Sequence, residues 1–234
     1  YAKLAVRTGA NVQNSQKLTI SAPVECAEFV ELLTDAAFAV GASDVEVFWS
    51  FQKLSRLRLK NVPAEVLTKI PQYLVDQRND AVKKGAALIS VSAGDPTIYK
   101  DVDPEVMQSY SAASEKAFKE YSDETIDNLQ WTVVSVPTAA WANAVFPDDP
   151  DREEKLWDAI FKAVRLDEGD AIQRWKEHTS TLKRHVDAMN ERRFIALHYQ
   201  NGLGTDLVVG LRDTHLWSAG SSVSKWGGPF NANM

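Results

Sequence analysis

An α/β fold, a mostly parallel sheet flanked by helices, is predicted by three features of the sequence. Short apolar runs rich in β-branched residues alternate with longer stretches of helical periodicity. The interval from Lys17 to Trp49 reads strand, helix, strand over about thirty residues, the pattern of a parallel pair joined by a right-handed crossover. Punctuation falls where such units need it, with Gly9, Gly41 and Gly85 after helical stretches and Pro23, Pro63, Pro71 and Pro104 at helix starts.

Tyr1 to Thr8 has apolar residues at 1, 4, 5 and 6 and reads as the tail of a helix stopped by Gly9. Lys17-Leu-Thr-Ile20 is the first strand and Ser21-Ala-Pro23 its turn. Val24, Ala27, Val30, Leu33, Ala37 and Val40 mark a helix ending at Gly41, and Asp44 to Trp49 is the second strand. Gln52 to Lys60 sets Lys53, Arg56, Arg58 and Lys60 among three leucines, either a solvated basic helix or a holder of an anion. Two short helices open at Pro63 and Pro71, and Ala86 to Val91 is the third strand. Asp103-Pro104 caps and starts one long helix reaching about Ile126, followed by a fourth strand, Trp131 to Val136. Pro137-Thr138 turns into a short helix, Phe146 to Pro150 breaks the chain, and amphipathic helices follow over Glu153 to Val164 and Asp170 to Asn190. Phe194 to Tyr199 and Gly204 to Val209 are expected to form a hairpin, where the alternation of helix and strand stops. The complete pattern is Rossmann-like with a hairpin at its C-terminal side, and it divides at residues 1–193 and 194–234.

Composition narrows the function classes. The 234 residues are 44% hydrophobic and 25% charged, as in ordinary globular proteins. A formal net charge of -6 disfavours a general nucleic-acid binder, which needs a basic footprint to displace counterions. No apolar run reaches the about 18 residues of a membrane-spanning helix, so no membrane partner is expected. The single cysteine, Cys26, lies in an apolar helical stripe without a His or Lys beside it, which reads as a buried structural thiol in a reducing, cytoplasmic setting.

Recognisable catalytic motifs are few. None of the loops after the first three strands carries G-x-G-x-x-G or G-x-x-x-x-G-K-[ST], so nucleotide binding is a poor reading. There is no G-x-S-x-G and no H-E-x-x-H. His178 and His185 are seven apart and lack the i, i+4 spacing of a zinc pair. Asp206, His198 and His215 cluster near the C-terminal end, where paired strands could bring them together. The chain begins at Tyr1 inside a helical pattern and stops on Asn231-Ala-Asn-Met234 just after a Gly-Gly-Pro turn, and a fragment of a longer protein is expected.

Several stretches resemble one known family. They include Tyr1-Ala-Lys-Leu-Ala-Val6, Gly41-Ala-Ser-Asp-Val45, Val102-Asp-Pro104, Trp141-Ala142, Leu156-Trp-Asp158, Ala196-Leu-His-Tyr199, Gly204-Thr-Asp-Leu207, His215-Leu-Trp217 and Pro229-Phe-Asn-Ala-Asn-Met234. Together they are similar to the N-terminal part of the thermophilic aminopeptidases, the group of aminopeptidases T and S. The resemblance implies an N-terminal α/β domain ahead of a catalytic domain that holds two divalent metal ions, cobalt, zinc or magnesium, and removes N-terminal residues from peptides. It also implies a cytoplasmic homodimer. In the family the Asn-Met pair is followed by Pro-Thr-Glu-Glu, which begins the metal-ligand set, so no metal ligand or catalytic residue is assigned within residues 1–234 and the chain by itself is expected to be inactive. His215, Trp217 and Asn233 are the residues expected to approach the substrate cavity. One departure stands out: acidic residues tend to follow the family's tryptophan, where this chain has Ser50-Phe-Gln-Lys53 after Trp49. The alternative is a self-standing α/β ligand-binding or interaction domain without catalysis.

Overall fold

The computed structural model describes residues 1–234. The chain opens with α1 (Ala2–Leu4), continued by a π-helical turn (Ala5–Gly9). Strand β1 (Lys17–Pro23) leads through a 3-10 turn (Val24–Cys26) into α2 (Ala27–Ala39), then β2 (Asp44–Ser50). Helices α3 (Gln52–Asn61), α4 (Ala64–Leu67) and α5 (Gln72–Lys83) precede β3 (Ala87–Ser92). Helices α6 (Pro104–Ala117) and α7 (Lys119–Asn128) precede β4 (Trp131–Ser135). After it come α8 (Ala139–Val145), α9 (Arg152–Ala163), α10 (Ala171–Arg192), β5 (Ala196–Gln200), β6 (Asp206–Gly210), β7 (Ser222–Val223) and β8 (Pro229–Phe230).

The main sheet has the order β2-β1-β3-β4, and every pair in it is parallel. Residues alternate between its faces, as a pleated strand requires. Ile89 joins the core formed with α2, which includes Leu18, Ile20, Phe29, Val30, Leu33 and Val134. Its neighbour Leu88 joins Val82 and Leu129, from α5 and the end of α7. Both faces are therefore covered, as expected for a parallel sheet. The expected turn at Ser21–Pro23 is instead strand. β3 pairs with β1 only as far as Ser21, so Pro23 has a strand partner on the β2 side alone, the edge-like kind of position at which a residue without an N–H is tolerated.

Contacts divide the chain into two compact units, Tyr1–Ala171 with Ser222–Met234, and Ile172–Ser221. In the first, the closing residues add to the sheet. The Val133 N–H donates to the Ala232 carbonyl at 2.8 Å and the Met234 N–H to the Val133 carbonyl at 3.1 Å, which places Asn233 in a parallel bridge beside β4. In the second unit, β5 and β6 form the expected antiparallel hairpin with His198 opposite Val208.

Two local expectations differ from the structure. The single helix from Pro104 to Ile126 is broken at Phe118, whose backbone (φ -98°, ψ 14°) leaves the helical region. The break sets Phe118 and Tyr121 around the Arg78 guanidinium, 5.8 and 5.4 Å from their ring centroids, while Phe48 lies at 4.6 Å. Gly9 is required for close approach rather than for a left-handed cap. A Cβ there would fall 2.7 Å from Met234 Sδ and 2.9 Å from Thr132 Cγ2, and the positive φ belongs to Asn11.

Candidate functional site

Ligands of open α/β sheets bind beyond the carboxyl ends of the strands, so those ends are the natural place to look in the first unit. The loop after β3 is organised by polar contacts. Gln52, the first residue of α3, accepts a hydrogen bond from the Asp95 N–H at 2.8 Å, and its amide lies so close to Gly94 that a Cβ there would meet it at 2.5 Å. Asp95 in turn accepts from the Thr97 N–H and hydroxyl, at 2.8 and 2.9 Å. At the end of β4, the Ser135 N–H donates to the Tyr1 phenol oxygen at 3.2 Å. Burial pushes that phenol up to about 12, so it stays protonated.

The basic helix α3 is partly neutralised. Arg56 grips Asp101 in a bidentate pair, with Nε to Oδ1 at 2.8 Å, and Lys60 Nζ reaches Oδ2 at 2.7 Å. The hydrogen bonds from Arg56 and then from Lys60 hold the Asp101 carboxyl well below the usual carboxylate range. Two of the four cations considered for an anion are thus committed to the chain's own carboxylate.

A groove of about 690 Å3 runs between α5 and the α6–α7 pair, lined by Asp76, Asn79, Asp80, Lys83, Lys116 and Glu120 among others. The buried Asn79 donates through Nδ2 to Glu120 Oε2 at 3.1 Å, and its own Oδ1 has no partner. Cys26 is buried as expected, and burial raises its thiol to about 11.

Of the residues expected at a substrate cavity, His215 and Trp217 lie together in the second unit. Their rings meet edge to face with centroids 5.9 Å apart, and His215 Nδ1 is 2.6 Å from the Arg212 carbonyl. Asn190, on α10, clamps the tryptophan backbone: its Oδ1 accepts from the Trp217 N–H at 2.8 Å and its Nδ2 donates to the Trp217 carbonyl at 3.0 Å. Trp217 Nε1 is buried without a partner. Asn233 belongs to the first unit, in the bridge beside β4. The hairpin brings His198 Nε2 to 2.5 Å from Asp206 Oδ1, diagonally across the ladder, whereas His215 packs on Trp217. Asn190 and Gln52 escaped the sequence reading because an amide in a polar helical stretch gives no signal until its partner is known.

No group of three or more His, Cys, Asp or Glu side chains converges within residues 1–234. No helix is long and apolar enough to cross a membrane.

Comparison with known proteins places this architecture. The sequence model of the thermophilic metalloprotease (M29) family matches residues 1–234. Aminopeptidase T of Thermus thermophilus is 40% identical over 238 residues, and aminopeptidase AmpS of Bacillus subtilis is 37% identical over 237. All of this chain is covered in both cases, but it spans only 58% of the length of either relative. The solved structure of wild-type AmpT from Thermus thermophilus superimposes with a TM-score of 0.90 at 37% identity, covering 99% of this chain and 57% of that one. With a family match along its whole length and a shared fold at this identity, the chain belongs to the thermophilic metalloprotease (M29) family.

Proposed function

We propose that this chain forms the non-catalytic α/β part of a metal-dependent aminopeptidase that removes N-terminal amino acids from peptides. The observation that carries the reading is the unbroken match to relatives named aminopeptidase, at 35 to 40% identity over the whole chain. Two divalent ions, cobalt, zinc or magnesium, would be held by residues outside 1–234. Such a pair polarises the scissile carbonyl and generates hydroxide, chemistry that needs several carboxylates and imidazoles in one pocket.

The part proposed for this chain is to wall the cavity and limit which peptides enter it. The direction of its last residues supports that role. Asn233 pairs in parallel with β4, so the backbone at Met234 is heading for the carboxyl ends of the strands, where ligands of such sheets bind. Residues 194–234 are proposed as the lead-in to the catalytic domain, with Ser222–Met234 packed on the first unit. His215, Trp217 and Asn233 are proposed to border the cavity. Cytoplasmic location and a homodimer complete the proposal.

The test is release of nitroaniline from aminoacyl-nitroanilides, with each metal added in turn, by this chain and by the longest product of its gene. Turnover by the longer product alone is expected. Metal-dependent turnover by residues 1–234 would overturn the assignment of catalysis elsewhere, and an inactive longer product would overturn the peptidase reading. In an active longer product, His215→Ala is expected to raise KM for peptides, and unchanged turnover and stability would remove His215 from the cavity.

A further inference from the structure

The cover that α5 and α7 give the main sheet ends part-way along its strands. On their side of β3, Leu88 is buried, but the next two residues to point the same way, Ser90 and Ser92, are exposed although β3 is an inner strand. Ser21 on β1 is the register partner of Ser90, and Ser135 on β4 that of Ser92, and both are half-buried. The hydroxyls of Ser90, Ser92 and Ser135 have no hydrogen-bond partner in the chain. The carboxyl-end half of this face is therefore bare and lined by hydroxyl groups.

Arg78, on α5, stands at the border of this area. Phe48, the register partner of Ser21 on β2, lies under its guanidinium, and the break at Phe118 completes the frame with the rings of Phe118 and Tyr121. Unlike Arg56, which Asp101 holds, Arg78 has no carboxylate partner. Glu46, the acid on the same face of β2, is taken by Lys17 at 3.0 Å and by the Gln77 amide at 3.3 Å. The one hydrogen bond that Arg78 makes is long, from Nη1 to Ser21 Oγ at 3.4 Å. Three rings attract the charge and fix its place, but most of the N–H donors of the guanidinium fork are left without an acceptor.

We propose that Arg78, with the serines beside it, binds the terminal carboxylate of a short peptide. A guanidinium fork matches a carboxylate in charge and in planar geometry. The rings that frame Arg78 keep water from part of it, which strengthens such a pairing. The hydroxyls of Ser21 and Ser90 can donate to or accept from the peptide groups that precede the carboxylate. Register gives the length of the peptide. Val133 is the partner of Ser90 on one side and bridges Asn233 on the other, so Ser21, Ser90, Val133 and Asn233 form one row across the sheet. From β1 to Asn233 is three strand spacings, about 14 Å, which about four residues of extended peptide span. A peptide whose amino end lies where the chain leaves the sheet at Met234 therefore reaches Arg78 with its carboxyl end. This role rests on the aminopeptidase reading above and gives it a substrate class, short peptides with a free carboxyl terminus.

The experiment compares tetraalanine with tetraalanine amide as substrates of the longest product of the gene. The acid is expected to have a KM about tenfold or more below that of the amide. Arg78→Gln should bring the two values together, and Arg78→Lys, which keeps the charge but not the fork, should restore part of the difference. A merely structural role for Arg78 would impair both peptides alike and leave their ratio unchanged. Should Arg78→Gln fail to fold by circular dichroism, Ser90→Trp, at an exposed position, fills the row beside the guanidinium and is expected to abolish the difference instead. An amidated peptide ending in glutamate is expected to behave as the amide does, and a KM as low as that of tetraalanine would overturn the assignment to the terminal carboxylate. Equal KM values for acid and amide in the wild type, or a difference that survives Arg78→Gln, would overturn the proposal. If the longer product does not turn over aminoacyl-nitroanilides, the peptidase reading fails on its own, and calorimetric titration of that product with the same two peptides decides the fate of the carboxylate site: tighter binding of the acid, lost in Arg78→Gln, upholds it, and equal binding overturns it.

Discussion

Phe230→Ala tests whether the closing residues are part of the folded first unit. Phe230 is 2% exposed, the largest of the fully buried side chains, and its ring lies 6.4 Å from that of Trp131 on β4. Removing a fully buried phenylalanine costs about 3 to 5 kcal/mol, because the lost burial is compounded by the cavity left behind. Roughly 0.5 to 1.5 kcal/mol of that belongs to the aromatic pair. For a protein of this size the expected fall in Tm is on the order of 10 °C. Val223, across the same small ladder and 74% exposed, is the control: Val223→Ala should stay within about 0.5 kcal/mol of the wild type. Both are measured by urea unfolding followed through tryptophan fluorescence. If Phe230→Ala cost less than about 1 kcal/mol, the segment would be detached in solution and the sheet extension beside β4 would be wrong.

Three further outcomes follow from the same contacts. Gly85→Ala is expected to destabilise by about 1 to 3 kcal/mol in urea unfolding, because Gly85 has φ +69° and a Cβ there would lie 2.7 Å from the Trp226 ring. Asp101, whose folded carboxyl titrates below its unfolded value, contributes stability that is full above about pH 4 and is lost as pH falls toward the folded value. The unfolding midpoint should therefore drop on acidification in that window, and Asp101→Asn should flatten the drop, whereas an unaltered profile would refute the Arg56–Asp101–Lys60 contact. Cys26, buried and raised to about 11, should resist a thiol reagent at neutral pH until the protein is unfolded, and rapid labelling of the native chain would contradict its burial.

The strands of the main sheet were legible because each announces itself locally, as in Asp44-Val-Glu-Val-Phe-Trp49 or Trp131-Thr-Val-Val-Ser-Val136. Parallel pairing was legible from the intervening helix. The break at Phe118 was not, because no glycine or proline marks it and its partner, Arg78, lies forty residues earlier in the sequence. At Pro23 the opposite holds: a strong turn former is accommodated within β1 because β3 pairs only as far as Ser21, which nothing local in the sequence announces. In the candidate site, His215 and Trp217 stand out through the resemblance to the family rather than through spacing, and their rings do meet. The clamp from Asn190 was not legible, since twenty-seven residues separate it from Trp217.

The opening and closing residues of the chain meet for a reason rooted in helix geometry. A helix leaves its last carbonyls without intrahelical donors, and buried carbonyls must find partners elsewhere. At the N-terminal helix the last of these are Thr8 and Gly9. Asn231 supplies both donors, its side-chain Nδ2 to the Thr8 carbonyl and its backbone N–H to the Gly9 carbonyl, each at 2.8 Å. Asn11 answers in the reverse direction, donating through Nδ2 to the Pro229 carbonyl at 2.8 Å. Beneath them the fully buried Gln130 donates to the Asn11 carbonyl and accepts from Gln16, which also bonds the Gly85 carbonyl, so the network reaches from the first helix to the starts of β1, β3 and β4. Every one of these partners is distant in sequence. The N-terminal turn, the glycine at position 9 and the segment beside β4 are therefore parts of one structure, and a change in any of them should be felt at the point where the chain heads for the carboxyl ends of the sheet.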